Sequence, residues 1–206
     1  RQMLWGFFKK IVIADNAALI VNDVFSRSDE ASALVLFIGI FLFSFQIYAD
    51  FSGYSDIALG VAKLFNINLT TNFKSPYFST SIVEFWRRWH ITLSTWFRDY
   101  VYIPLGGSRM GMKRFVISVF ATFVLSGLWH GAKLTFVAWG FIHALFYFAQ
   151  IVFQNSSAHH KIRVKGPRWA KQLVQMVLVF GVVMFSWIFF RSDSLAQAFL
   201  YIARMF

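Results

Sequence analysis

Residues 31–49, ASALVLFIGIFLFSFQIYA, contain no charged side chain. At about 1.5 Å per residue, a helix of this length matches the roughly 30 Å hydrocarbon core of a bilayer. Three later runs, 115–132, 134–154 and 172–190, are also apolar and long enough to cross. The chain is therefore predicted to be an all-α, polytopic integral membrane protein with these four spans.

Composition supports lipid as the solvent. Of 206 residues, 58% are hydrophobic and only 14% are charged, which is more apolar surface than a soluble domain of this length buries. The net charge of +11 raises the alternative of nucleic acid binding, but the basic residues lie between apolar runs and form no continuous patch. We therefore expect membrane lipid, and no nucleic acid, as a partner.

The distribution of charge predicts an orientation. The basic loop at 108–114 and the hydrophilic loop at 155–171, which holds His159 and His160, are separated by two spans and so lie on the same side. Their excess of Lys and Arg predicts that this side is cytoplasmic and that His130 faces outward. Residues 4–25 are too polar for a lipid-exposed span, so we expect an interfacial helix or one buried among other helices.

The stretch EFWRRWHITLSTWFRDYVYIPLGG, residues 84–107, holds many of the chain's aromatic and charged side chains. Helical spacing predicts a re-entrant or interfacial helix over 82–100. It places Trp86, His90, Leu93 and Phe97 on an apolar face and Arg87, Arg88, Ser94, Thr95, Arg98 and Asp99 on the opposite side. The arginines either extend toward lipid head groups or contact an anionic substrate. After Pro104, Gly106 and Gly107 predict a tight turn.

The motif Asp50-Phe-Ser-Gly-Tyr-Ser-Asp56 has two interpretations. In the first, Asp50 caps a helix and Gly53 adopts a positive φ, so that the motif is a turn between two helices. In the second, Asp50 lines a polar cavity at the membrane boundary, because carboxylates near lipid are costly and usually functional.

Three histidines lie in or beside apolar segments. His143 is predicted to be a packing residue, because it lies within a regular apolar run. His90 and His130 each lie where a helix meets a loop, and we expect them to share one buried site. The chain has no cysteine, which excludes a thiolate nucleophile and cysteine-ligated zinc, and we predict no metal site.

The chemistry open to such a site is limited. The sequence lacks a GxSxG elbow, and no pair of carboxylates lies near His130, so a serine hydrolase or glycosidase is poorly supported. A buried, neutral imidazole can accept the proton of an alcohol as that alcohol attacks a thioester. General-base acyl transfer is therefore the favoured reaction.

Three blocks together resemble the membrane-bound O-acyltransferase (MBOAT) family. They are YADFSGYSDIALG at 48–60, EFWRRWHITLSTWFRDYVYIPLGG at 84–107 and LSGLWHGA at 125–132. The match is similar to the bacterial branch of alginate and peptidoglycan O-acetyltransferases and the teichoic acid D-alanyl transferase. The resemblance implies that His130 is the catalytic residue, that His90 is the second active-site histidine, and that the fold is a helical bundle of which this chain is one piece.

The resemblance also implies substrates and partners. An acyl donor such as acetyl-CoA or an acyl carrier, with no resident cofactor, meets an acceptor from the other side of the inner membrane. The acceptor is a cell-envelope polysaccharide or a periplasmic or extracellular relay protein. The predicted substrate-binding residues are Asp50, Arg87, Arg88, Arg98, Asp99 and Trp129. The alternatives are teichoic-acid D-alanyl transfer, a proton-coupled transporter or channel, and a scaffold whose histidines only pack.

Overall fold

The structure, a computed structural model, describes residues 1–155 and 167–206, and these residues form helices without a β-strand. The α-helices are α1 Gln2–Phe7, α2 Asp15–Ser26, α3 Ala33–Leu64, α4 Ile82–Arg88, α5 Ile91–Phe97, α6 Gly111–His130, α7 Leu134–Gln154, α8 Arg168–Arg191 and α9 Leu195–Met205. Two π-helical segments, Phe8–Ala14 and Arg98–Tyr102, extend α1 and α5, and a 3-10 turn forms at Pro76–Phe78. The all-α prediction is confirmed.

Four of the described helices, α3, α6, α7 and α8, are long and apolar enough to cross a membrane. They contain or largely overlap the predicted runs 31–49, 115–132, 134–154 and 172–190. The predicted loop at 155–171 lies mostly outside the described residues, as do His159 and His160 within it. The tight turn after Pro104 is present, because Gly106 and Gly107 both have left-handed φ values, 109° and 51°.

The chain divides into two compact units, which are described separately. One contains residues 1–73 and 187–206, and the other contains residues 74–186. The sequence prediction of one transmembrane core over 1–206 stays a prediction.

In the first unit, the turn predicted at Asp50–Asp56 is wrong. Helix α3 continues without a break through the motif to Leu64, and Gly53 keeps helical geometry. Gly53 is instead a point of close approach, since a Cβ there would lie 2.8 Å from the carbonyl oxygen of Gly6. Small residues let membrane helices approach this closely.

Residues 2–26 pack along α3, which agrees with the expectation of a helix among other helices. Lys9 Nζ lies 2.6 Å from the Asp56 carboxylate and donates to Ser52 Oγ at 2.9 Å. Lys10 pairs with Asp50 at 2.7 Å and with Asp15 at 2.8 Å. The carboxylates of the Asp50–Asp56 motif therefore serve as partners for two lysines of the preceding helical segment.

We expect Lys9→Met to destabilise the first unit strongly, because it leaves Asp56 as an unpaired charge in a largely buried place. The side chains of Lys9 and Asp56 are only 10% and 22% exposed. Removing one partner of a buried pair costs roughly 3–5 kcal/mol, whereas replacing both by apolar groups is often neutral. Thermal unfolding in detergent should therefore show a much lower unfolding temperature for Lys9→Met. The double variant Lys9→Met/Asp56→Leu should recover an unfolding temperature close to that of the wild type. Equal losses in both variants would contradict this account.

In the second unit, the continuous helix predicted over 82–100 is wrong. Helix α4 ends at Arg88, and His90 adopts a left-handed conformation, with φ 43° and ψ 56°, before α5 begins at Ile91. The carbonyl oxygen of Arg88 accepts from the backbone N–H of Lys74 instead of continuing the helix. The two predicted faces of one helix therefore become the surfaces of two short helices.

Helices α6 and α7 form the scaffold of the second unit and pack at very short range. A Cβ on Gly127 would lie 2.2 Å from the carbonyl oxygen of Phe136, and one on Gly140 would lie 2.3 Å from that of Phe123. The two glycines thus bring the backbones into contact at two places. This contact fixes His130, the last residue of α6, relative to α7.

Candidate active site

The segment that carries His90 is held by a cap at the start of α4. Ser81 Oγ accepts from the backbone N–H of Glu84 at 3.0 Å, and the Glu84 carboxylate accepts from both the N–H and the hydroxyl of Thr80. Arg88, one turn later, donates to the same carboxylate. This reciprocal arrangement resembles a capping box and anchors α4 just before the break at His90.

His90 and His130 both contact Trp129. The ring centroids of His90 and Trp129 are 6.3 Å apart, and those of Trp129 and His130 are 5.0 Å apart. The centroids of the two imidazoles are thus separated by no more than the sum of these two distances. The structure brings the two predicted histidines together in the second unit.

His130 lies in a partly enclosed aromatic setting. Besides Trp129, its ring meets Trp139 edge-on at 5.4 Å and Phe136 at 6.2 Å. A Cβ on Gly131 would lie 2.7 Å from the ring of Phe136, so a larger residue here would have to displace that ring. His130 is half-buried, whereas Trp129 is 60% exposed. The imidazole is therefore shielded by aromatic rings but is not sealed inside the protein.

Burial lowers the pKa of His90 to about 4, and the proximity of His130 lowers it further in the same direction. Desolvation disfavours the charged imidazolium, and a second histidine nearby repels it. His90 is therefore neutral at physiological pH. A neutral His90 adds no positive charge beside the ring of His130.

The lowered pKa of His90 predicts how stability depends on pH. Its ordinary value is 6.5, so the unfolded chain binds a proton at a higher pH than the folded chain does. The contribution of His90 to stability should be level above about pH 6.5, fall as the pH drops toward 4, and level off below that. The free energy of unfolding should therefore change more steeply with pH in the wild type than in His90→Gln between about pH 4 and 6.5. Parallel curves for the two proteins over this range would contradict the lowered pKa of His90.

A cavity of about 460 Å³ opens in the second unit between α4, α5, the π-helical segment, α6 and α7. Its wall combines aromatic and aliphatic side chains with two arginines, Arg87 and Arg98, and with the hydroxyls of Ser94, Thr95, Thr122 and Ser126. Side chains predicted for opposite faces of one helix, such as Leu93 and Ser94, line the same cavity.

The cavity lies beside the histidine pair without including it. Among the described residues of its wall, Ile91 directly follows His90, and Ser126 precedes His130 by about one helical turn, but neither histidine belongs to the wall. This cavity therefore includes neither histidine in its wall, and the buried site that His90 and His130 were expected to share stays a prediction. The histidines and the cavity are neighbours within one unit.

The other predicted binding residues occupy different settings. Arg88 is paired with Glu84. Arg98 pairs with Asp99 through two hydrogen bonds, at 2.7 and 3.2 Å, and this interaction lowers the pKa of the exposed Asp99 carboxyl. Asp50 belongs to the first unit and pairs with Lys10. Arg87 is exposed at the edge of the cavity.

Sequence reasoning missed several residues of this region. Trp139, which contacts His130, and the hydroxyls of Thr122 and Ser126 on α6 were not singled out. Helical spacing carried a usable signal, because Trp139 and His143 are four residues apart and so share one face of α7. No local pattern pointed to Ser186, which contacts His143 from α8.

Comparison with known proteins now gives the class. The model of the membrane-bound O-acyltransferase family, MBOAT, matches residues 1–191. The chain belongs to this family. It is 40% identical over 205 residues to a probable alginate O-acetylase, AlgI, of Azotobacter vinelandii, and this match includes 100% of the chain and 39% of that relative.

Two further relatives have different names. The peptidoglycan O-acetyltransferase of Helicobacter pylori is 38% identical over 193 residues, with 94% of this chain and 36% of the relative matched. The teichoic acid D-alanyltransferase of Bacillus subtilis is 30% identical over 196 residues, with 90% and 48% matched. The chain spans less than half the length of these relatives. The family resemblance found in the three sequence blocks is confirmed.

Proposed function

We propose that the protein containing this chain transfers an acyl group, acetyl in the first instance, from a thioester donor to a hydroxyl of an envelope polysaccharide or relay protein. The observation that carries this proposal is the meeting of His90 and His130 at Trp129. Relatives named as alginate and peptidoglycan O-acetyltransferases support acetyl as the group and a glycan as the acceptor class.

His130 acts as the general base in this proposal. A ring nitrogen of neutral His130 takes the proton of the acceptor hydroxyl while the hydroxyl oxygen attacks the thioester carbonyl. The new C–O bond forms, the C–S bond breaks, and the imidazolium returns its proton to the leaving thiolate. His90 stays neutral and helps to position the reactants. Surrounding aromatic rings limit the access of water, which would otherwise hydrolyse the donor.

The cavity next to the histidines is the proposed place for the donor. Arg87 and Arg98 bring positive charge to its wall, and its hydroxyls and aromatic rings suit a long chain that carries both polar and apolar groups. A donor such as acetyl-CoA or an acyl carrier has phosphate near such a chain, which arginine binds well. Asp99 would set the orientation of Arg98, Trp129 would face the substrate, and Arg88 would help to hold α4 in place through its ion pair with Glu84. Asp50 lies in the first unit, and its part in substrate binding stays a prediction.

The four long apolar helices support a reaction at a bilayer, and we propose the inner membrane with the donor on the cytoplasmic side. The excess of basic residues at 108–114, where the turn after Gly107 leads into the start of α6, supports this orientation. The acceptor then arrives from the opposite side, as does any relay protein. Transfer of a D-alanyl group is the alternative to compare with acetyl transfer, since one relative is named a teichoic acid D-alanyltransferase.

The test uses the whole protein in liposomes with a labelled thioester donor on one side and a polysaccharide acceptor on the other. We expect labelled ester on the acceptor, with acetyl preferred over D-alanyl, and no change in proton flux when substrates are added. Proton flux without ester formation would replace the proposal by the transporter. Preference for D-alanyl would correct the acyl group only.

A further inference from the structure

His143 is the polar centre of an otherwise aromatic core in the second unit. Its ring is 0% exposed and stacks nearly parallel to Phe85 and to Phe123, each at 6.2 Å. Trp86 and Trp139 meet the same ring edge-on at 4.9 and 5.1 Å. Burying an imidazole here costs free energy that a phenyl ring would not, unless the ring is hydrogen-bonded.

Ser186 of α8 fixes the His143 ring. Ser186 Oγ lies 2.8 Å from His143 Nε2 and also donates to the carbonyl oxygen of Val183 at 2.7 Å. Ser186 Oγ is thus held between a backbone carbonyl and the imidazole. The hydrogen bond to Ser186 sets the rotation of the His143 ring for either tautomer of the imidazole.

Trp139 connects this fixed ring to the candidate base. Its side chain is 1% exposed and touches His143 on one side and His130 on the other, the latter at 5.4 Å with an interplanar angle of 88°. Trp139 and His143 lie one turn apart on α7, so the orientation of the His143 ring limits the position of the indole. The indole in turn forms part of the wall against which the His130 imidazole rests.

We infer that His143, held by Ser186, is a positioning residue that orients Trp139 and through it the imidazole of His130. This inference rests on the proposed function, in which His130 is the base. It assigns His143 no contact with substrate. Small displacements of a base from its reactive geometry reduce catalysis steeply, by about 100-fold for an error of 1 Å.

Ser186→Ala tests the inference with the smallest change, and Ser192→Ala is its matched control. Ser192 is also buried and its hydroxyl also donates to a backbone carbonyl of the same helix, that of Ile188 at 2.7 Å. In the whole protein we expect Ser186→Ala to lower kcat by roughly 10- to 100-fold with KM unchanged. Ser192→Ala should leave both constants within about two-fold of the wild type, as expected for a substitution outside the site.

A double-mutant cycle shows whether the serine acts through Trp139. If it does, Ser186→Ala/Trp139→Phe should lose little more kcat than Trp139→Phe alone, because the connection is already broken. Independent losses that multiply would overturn the inference. His143→Phe, which keeps the ring and removes the hydrogen bond, provides a second variant should Ser186→Ala fold poorly, and we expect the same kcat loss per folded molecule.

The inference and the proposed function fail in different ways. Wild-type kcat in both Ser186→Ala and His143→Phe, with activity abolished in His130→Ala, would overturn the inference and leave the proposed function standing. Full activity in His130→Ala would overturn the proposed function itself. Equal kcat losses in Ser186→Ala and Ser192→Ala would also overturn the inference, since the effect would then be general to α8.

Discussion

Gly140→Leu should prevent α6 and α7 from packing and should give a protein with a much lower unfolding temperature. A Cβ at residue 140 would lie 2.3 Å from the carbonyl oxygen of Phe123 and 2.9 Å from its carbonyl carbon. These are backbone atoms, which cannot rotate away as a flexible side chain can. Overpacking a tight contact costs about 1–3 kcal/mol for a methylene or two, and a leucine against backbone should exceed that range.

Gly181→Ala is the matched control for this prediction. Gly181 also lies within a membrane-spanning helix, α8, but a Cβ there would meet no atom within 4 Å. Alanine in a helix is favoured over glycine by roughly 0.5–1 kcal/mol, so this variant should be as stable as the wild type or more so. Thermal unfolding in detergent measures both variants, and similar unfolding temperatures for Gly140→Leu and Gly181→Ala would contradict the α6–α7 contact.

His130→Ala should reduce acyl transfer by about 10²–10⁴-fold in kcat, the range typical of a lost general base. The residual rate reflects the positioning of donor and acceptor, which the variant leaves in place. His90→Ala should cost less, because His90 is assigned to positioning. Initial rates with the labelled thioester donor provide the measurement.

Leu134→Ala controls for damage near the end of α6. Leu134 is 67% exposed and begins α7 only four residues after His130, so its truncation removes an apolar side chain without touching the candidate base. The rate of this variant should stay close to that of the wild type. A loss comparable to that of His130→Ala would show that the connection between the helices, and not the imidazole, is sensitive.

The membrane-spanning helices were predictable because their signal is local. An uncharged apolar run as long as 31–49 is stable as a membrane-spanning helix and in few other structures. Helix α3 contains most of this run. The same holds for His90 and His130, which lie in distinctive blocks at the ends of apolar segments. Their proximity was expected from the sequence, their common contact with Trp129 was not, and their catalytic roles stay predictions.

The features that were missed depend on contacts distant in sequence or on rare backbone geometry. Neither interpretation of the Asp50–Asp56 motif, a turn or a polar cavity lined by Asp50, foresaw its ion pairs, since the partners Lys10 and Lys9 lie about forty residues earlier in the chain. The continuous helix over 82–100 failed at His90, whose left-handed φ is uncommon for a residue other than glycine. The partner of His143 was invisible because Ser186 lies 43 residues away on another helix.

Chemical rescue of His130→Ala tests the central claim most directly. Removing the half-buried ring leaves a space beside the exposed Trp129, through which a free imidazole can reach the site. With donor and acceptor supplied, we predict that added imidazole restores part of the acyl-transfer rate in His130→Ala and has no effect on the wild type. Transfer by His130→Ala at the wild-type rate without any added base would contradict the assignment of His130 as the general base.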